Sequence, residues 1–348
     1  MKNWIARWLG PANGSEPTAP AAVPAAQAKL AAAPNGPPAA TPAAPAAAPQ
    51  VPPYSSADID VMYYRLIAGG ADHAAREGAE AMILDALDRL LKTPSAGANL
   101  VPRVPAVIPQ LLRSLRDESV DGTELARQVA QDPMLVAEVI RAANSAYYAP
   151  AAPVKNIEGA VIRLGQNGLR VQVARVSFRP IINDHSGHFA HMAAPQIWRQ
   201  SELCAQAATM LAKANAADPF EAYLAGLMHS VGLIVALRLI DQVYRDAALP
   251  GTDSFYIALG ASARLLSARI AALWEFPPPV VEGIANMDAN MPAPLAHTLA
   301  LGDQLSKLRV LVDAGAVAAD DPALLATVGA PAMMGRFDHL HGEDTHGV

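Results

Sequence analysis

The sequence predicts an all-α protein, on three observations. From residue 54 onward, apolar residues recur three or four positions apart almost without interruption. Apolar residues form 52% of the chain and aromatic ones only 5%, so the apolar content is chiefly Ala, Leu and Val. Alanine and leucine lead the helix scale, whereas strands favour branched and aromatic side chains. No run alternates apolar and polar residues as a half-buried strand would. The expected architecture is a multi-helix bundle behind a disordered Ala/Pro-rich N-terminal tether.

Residues 1–10, "MKNWIARWLG", place Trp4, Ile5, Trp8 and Leu9 on one helical face, with Lys2 and Arg7 off it. This is the pattern of a short amphipathic anchor for a membrane surface or a partner groove, although so short a helix is marginal by itself in water. The apolar run is too short for a signal peptide, and Pro11 follows it. Residues 11–53 are mostly Ala and Pro, which break helices and supply no core. They read as a polyproline-leaning linker reaching at most about 130 Å.

Residues 54–98 form a helical extension, in which Ile59, Met62, Tyr63 and Leu66 repeat at helical spacing, then Met82, Leu84, Leu87, Leu90 and Leu91. Asp132-Pro133 is a helix start, with aspartate as N-cap and proline at the first helical position. Leu135, Val136, Val139, Ile140 and Ala143 give that helix its inner face. Asn156 caps the next, which runs through Ile157, Val161 and Leu164 until Gly165 closes it. Further helices are expected near 169–182, 196–214, 220–238, 255–275, 278–287 and 293–313. Residues 99–312 make the main domain, and 313–348 a C-terminal helix with a flexible tail.

Charge and cysteine content narrow the function. Residues 1–53 hold Lys2, Arg7 and Lys29 against Glu16, a net +2, so the total of −6 leaves −8 on residues 54–348. An acidic body repels a phosphate backbone, and no nucleic-acid partner is expected. The single cysteine, Cys204, excludes an internal disulfide and any Cys-rich zinc site, and suits a reducing cytoplasm. His185, His188 and His191, like His339, His341 and His346 in the tail, lie in polar segments and read as solvated residues. No phosphate-cradling glycine loop is present, and no cofactor is expected.

The runs "VPAVIPQLL" and "DPMLVAEVIRAANSAYYAPAAPVKNIEGAVIRLG", followed in order by "IWRQSELCAQAA", "EAYLAGLMHSVGLIVAL" and "ALWEFPPPVVEGI", resemble an HDOD domain over about residues 100–310. Asp132, Pro133, Asn144, Ser145, Ala146 and Tyr148 carry the most selective part. The resemblance implies an all-helical relative of the HD phosphohydrolases, found in bacterial signalling systems as scaffolds or response outputs. HD enzymes hold metal with a histidine, an adjacent His-Asp pair and a distant aspartate. The matching positions here are Gln200, His229 with Ser230, and Asp303. Further histidines of some relatives match Ala263 and about Met287. A neutral amide and a neutral hydroxyl are poor ligands for a divalent ion, and a catalytic metal wants about three strong protein ligands.

His229 is therefore expected to be the remnant of a metal site, satisfied by hydrogen bonds to Asp303, Gln200 or Ser230. Asn144 and Ser145 read as backbone-capping residues, since no base is spaced to activate the serine. The expectation is a non-enzymatic regulatory or scaffold module. It would be cytoplasmic, acting on signalling proteins, with weak inner-membrane contact through Trp4 and Trp8. The alternatives are a metal-dependent phosphohydrolase of nucleotides or cyclic dinucleotides, and a small-ligand sensor with Arg199 and Arg264 as anion contacts.

Overall fold

The computed structural model describes residues 52–69, 77–93, 100–101, 126–127, 129–130, 132–145, 152–182, 187–246, 248–287 and 292–329, with positions 335, 337, 338 and 340. The Trp4/Trp8 segment, the tether, His185, His339, His341 and His346 lie outside them. Met1–Pro49 and Gln50–Val348 are separate units. The second is all helix among its described residues, with no strand.

Helix α1, Ser56–Ile67, starts at a reciprocal cap: the Asp58 amide donates to Ser55 Oγ, and the Ser55 amide donates to Asp58 Oδ2. It buries Ile59, Tyr63, Tyr64 and Ile67. Helix α2, Glu77–Lys92, turns Ile83, Leu87 and Leu90 inward, while Met82 of the expected apolar face is 43% exposed. Helix α3 spans Pro133–Ala143, and the Leu135 amide donates to Asp132 Oδ1 at 3.3 Å. Helix α4, Ile157–Ile182, is broken at Gly165, whose φ of 68° and ψ of 174° lie where residues with a Cβ are strained. Asn156 Oδ1 caps its start by accepting from the Gly159 amide at 3.0 Å.

Two corrections to the sequence reading concern the centre of the bundle. Helix α5 runs His188–Ala212, starting eight residues before the expected 196 and passing through Pro195. Asp241 holds its first turn, accepting from the Phe189 amide at 2.9 Å and the Ala190 amide at 3.2 Å. This long-range cap sets the start, and the proline loses one intrahelical bond without ending the helix. The single helix expected over 220–238 is two: α6, Pro219–Met228, and α7, Val231–Val243. They meet at His229-Ser230.

Helices α8 (Asp253–Leu273), α9 (Pro278–Ala285), α10 (Pro294–Asp313) and α11 (Pro322–Val328) complete the body. The main core joins α1 and α2 to helices α5 through α11 and the later part of α4, and a smaller core lies between α3 and α4. Pro219–Val243 and Asp253–Leu273 are long and apolar enough to cross a membrane by length and composition. The first is 94% buried inside the body and interrupted at His229-Ser230, as suits core helices.

Candidate functional site

The stretch "GLMHSVG", residues 226–232, forms the α6–α7 junction. Its glycines are there because neighbouring backbones are too close for any side chain. A Cβ on Gly226 would lie 2.4 Å from Ala205 Cα, and one on Gly232 would lie 2.1 Å from the Ala263 carbonyl oxygen. The junction's open backbone groups are joined by Ser267 of α8. Its hydroxyl donates to the His229 carbonyl at 2.6 Å and accepts from the Gly232 amide at 2.8 Å. His229 is thereby fixed at the end of α6, facing α5 and α10.

Three elements bring Gln200, His229 and Asp303 into direct contact. His229 Nδ1 is 2.7 Å from the Gly226 carbonyl oxygen, an arrangement that requires Nδ1 to carry a proton. His229 Nε2 is 3.1 Å from Asp303 Oδ1 and 3.1 Å from Gln200 Nε2. The Gln200 amide has two protons, which go to Asp303 Oδ1 at 2.8 Å and Ser306 Oγ at 3.0 Å. Ser306 in turn donates to the Asp303 carbonyl at 2.9 Å. With both amide protons so placed, His229 Nε2 meets Asp303 Oδ1 as a donor with a proton of its own, and in that arrangement the ring is an imidazolium.

Electrostatics agrees with that count. Burial works against the charged ring, but the Cys204 sulfur and the Asp303 carboxylate favour it and push its pKa up to about 10. Burial would raise the Asp303 pKa, yet Lys307 and His229 hold it well below the usual carboxylate range. The Lys307 ammonium is itself buried. Asp303 and Asp60 offset that cost and hold its pKa well above the usual lysine value.

Lys307, one helical turn after Asp303, is the decisive residue that sequence reasoning missed. Its Nζ donates to Asp303 Oδ2 at 2.7 Å and to Asp60 Oδ1 at 2.5 Å. It lies 5.7 Å from the Tyr63 ring centre and 5.8 Å from that of Tyr64. Both rings belong to α1, so the N-terminal extension closes the site. Asp60⁻, Lys307⁺, Asp303⁻ and His229⁺ form a chain with zero net charge. The acid-base pair at i and i+4 within an apolar helix was the available signal; Asp60, 247 positions from Lys307, gave none.

Ser230 faces away from this chain. It hydrogen-bonds Ser201 Oγ, whose proton goes to the Ile197 carbonyl at 2.8 Å, so Ser230 is the donor. Arg199 pairs with Asp313 at 2.5 Å, and Arg264 Nη1 donates to the Met287 carbonyl at 3.1 Å. Neither bonds to Gln200, His229, Ser230 or Asp303 among the described residues. Asn144 is remote from the site and ties backbone to backbone: Nδ2 donates to the Val154 carbonyl at 2.8 Å, and Oδ1 accepts from its amide at 2.7 Å. The Ser145 hydroxyl is buried with no partner among the described residues. His188 and His191 lie exposed on the first turn of α5.

These residues do not fit a divalent metal. An imidazolium has no free lone pair, both Asp303 oxygens are engaged by cations, and Gln200 and Ser230 are neutral. Among the described residues, no three His, Cys, Asp or Glu side chains gather so as to hold an ion.

A helical bundle that brings one buried histidine and one aspartate together beside a glutamine is related to the metal-dependent phosphohydrolases. The chain belongs to the HDOD domain family, whose model matches residues 101–289. Asp303, Lys307 and Asp60 lie outside the matched residues. An HDOD domain protein of unknown function from Geobacter sulfurreducens has a similar structure, with a TM-score of 0.55 at 20% identity, covering 73% of this chain and 93% of its own. So does a Shewanella amazonensis SB2B protein described as "Putative phosphohydrolase", with a TM-score of 0.53 at 25% identity, covering 74% of this chain and 95% of its own. An uncharacterized Treponema pallidum (strain Nichols) protein is 22% identical over 218 residues; the match spans 58% of this chain and 41% of that protein's length.

Proposed function

We propose that the protein is a non-catalytic regulatory module of bacterial signal transduction, acting through contacts with other signalling proteins. One observation carries this reading: the carboxylate that would hold a metal is engaged on Oδ2 by Lys307 and on Oδ1 by His229. A divalent ion about 4 Å from the Lys307 ammonium would meet roughly 8 kcal/mol of repulsion at an effective dielectric constant of about 20. It would also have to take the proton from His229. With no ion to lower the pKa of a bound water, the site has no source of hydroxide. The buried charges serve instead to fix how α1, α5, α6 and α10 meet, and the outer surface of that bundle is what a partner reads. The short N-terminal segment with Trp4 and Trp8 adds a weak membrane contact, with the body held on its tether.

The test is elemental analysis and phosphodiester hydrolysis on purified protein incubated with Mn, Fe, Mg and Zn. The expected result is no stoichiometric metal and no metal-dependent hydrolysis. About one tightly held ion per chain, lost in His229→Ala and Asp303→Ala, refutes the reading.

A further inference from the structure

The site contains a contiguous chain of hydrogen bonds that runs further than the four charged groups. It begins at Asp60 on α1, passes to Lys307 Nζ at 2.5 Å, to Asp303 Oδ2 at 2.7 Å, from Asp303 Oδ1 to His229 Nε2 at 3.1 Å, and ends from His229 Nδ1 on the Gly226 carbonyl at 2.7 Å. The last bond fixes the end of α6. The His229 carbonyl is held by Ser267, which also holds the first turn of α7 through the Gly232 amide. Every link is a bond to a charged group, stronger than a neutral one and little screened where it is buried. The side chains of Lys307, Asp303 and His229 are 8%, 7% and 5% exposed, whereas that of Asp60 is 36% exposed. Asp60 is thus the one link that a partner can reach.

We propose that α1 and the α6–α7 junction are coupled through this chain, so that a cationic side chain of a partner drawing Asp60 away from Lys307 loosens the junction at His229-Ser230. Losing Asp60 leaves Asp303 as the one carboxylate bonded to Lys307 among the described residues. The ammonium then moves toward solvent or pulls Asp303 with it, and either displacement lengthens the bond that orients His229. The junction is the natural responder. It is a break between two helices, where Leu233 makes a three-residue turn to the Ser230 carbonyl at 3.0 Å in place of a regular helical bond. Coupling of this kind requires a physical network biased from both ends, and the network here is explicit. The proposal rests on the site being metal-free, and its test separates the two readings.

The experiment is native-state hydrogen exchange on the full chain, following the amides of residues 229–233, in the wild type and in Asp60→Asn, Asp60→Glu and Arg65→Ala. Arg65 supplies the control. From α1 it reaches Asp253 on α8 at 2.5 Å, so its loss removes a tie of α1 to the body that does not pass through Lys307. Asp60→Asn is expected to speed exchange at 229–233 by about tenfold, with Asp60→Glu close to wild type and Arg65→Ala unchanged at these amides. Equal effects of Asp60→Asn and Arg65→Ala, or unchanged exchange in Asp60→Asn, overturn the coupling. Metal content measured on the same wild-type sample tests the metal-free reading independently of either outcome.

Discussion

Replacing Lys307 with methionine tests the electrostatic account of the site most directly. Methionine keeps much of the volume and removes only the cation, so the cost is chiefly that of leaving Asp303 short of a partner. Removing one member of a buried ion pair costs about 3–5 kcal/mol. The Asp303 and Lys307 side chains are only 7% and 8% exposed, so little of that is lost to screening. Two features hold the figure at the lower end. His229 still bonds Asp303 Oδ1, and Asp60, 36% exposed, is solvated by water once Lys307 is gone, so it is not left as a buried unpaired charge. The expected loss is therefore about 3 kcal/mol, or roughly 6–12 °C in Tm for a body of this size. Urea denaturation of wild type, Lys307→Met, Asp303→Asn and the double variant measures it, with unchanged m-values showing that only stability moved. In the double variant neither Asp303 nor Lys307 leaves the other's charge buried without a partner, and His229 can release its proton once Asp303 is neutral, so it should be less destabilised than the sum of the singles by at least about 1 kcal/mol. A Lys307→Met protein within about 0.5 kcal/mol of wild type, or a double variant that is simply additive, refutes the account.

Two further outcomes follow from the same contacts. His229 titrates at about 10 in the folded protein against about 6.5 unfolded, so its stabilising charge is fully present below about pH 6.5 and is lost as pH rises toward 10. Chemical denaturation across that window should show stability falling by up to about 1.4 kcal/mol per pH unit, with the slope reduced in His229→Gln; equal slopes in the two proteins would count against a charged His229. The Asp303 contribution has the opposite sense, present above about pH 3.9 and lost as pH falls from there. Asn144→Ala strips partners from both the amide and the carbonyl of Val154 and should cost about 1–3 kcal/mol. A melting curve identical to wild type would show that this tie is dispensable.

Much of the molecule follows from local rules that a sequence carries in full. Helical period, the Asp132-Pro133 start, the Asn156 cap and the stop at Gly165 each depend on residues within one turn of each other. Gln200, His229 and Asp303, which the fold brings into contact, were positions the matching runs already singled out in order along the chain, whereas Ser230 turns to Ser201. From them the poverty of Gln200 and Ser230 as metal ligands was a matter of chemistry alone.

What the tertiary structure decided is how the remaining charges are satisfied. The α6–α7 break depends on a hydroxyl from α8, the start of α5 on a carboxylate from α7, and the role of Lys307 on an aspartate from α1. Periodicity cannot register such contacts, since each partner lies dozens to hundreds of residues away and is chosen by which helices pack. The protonation of His229 shows the same limit. It follows from counting the two amide protons of Gln200 against three possible acceptors, and that count exists only once α5, α6 and α10 have met.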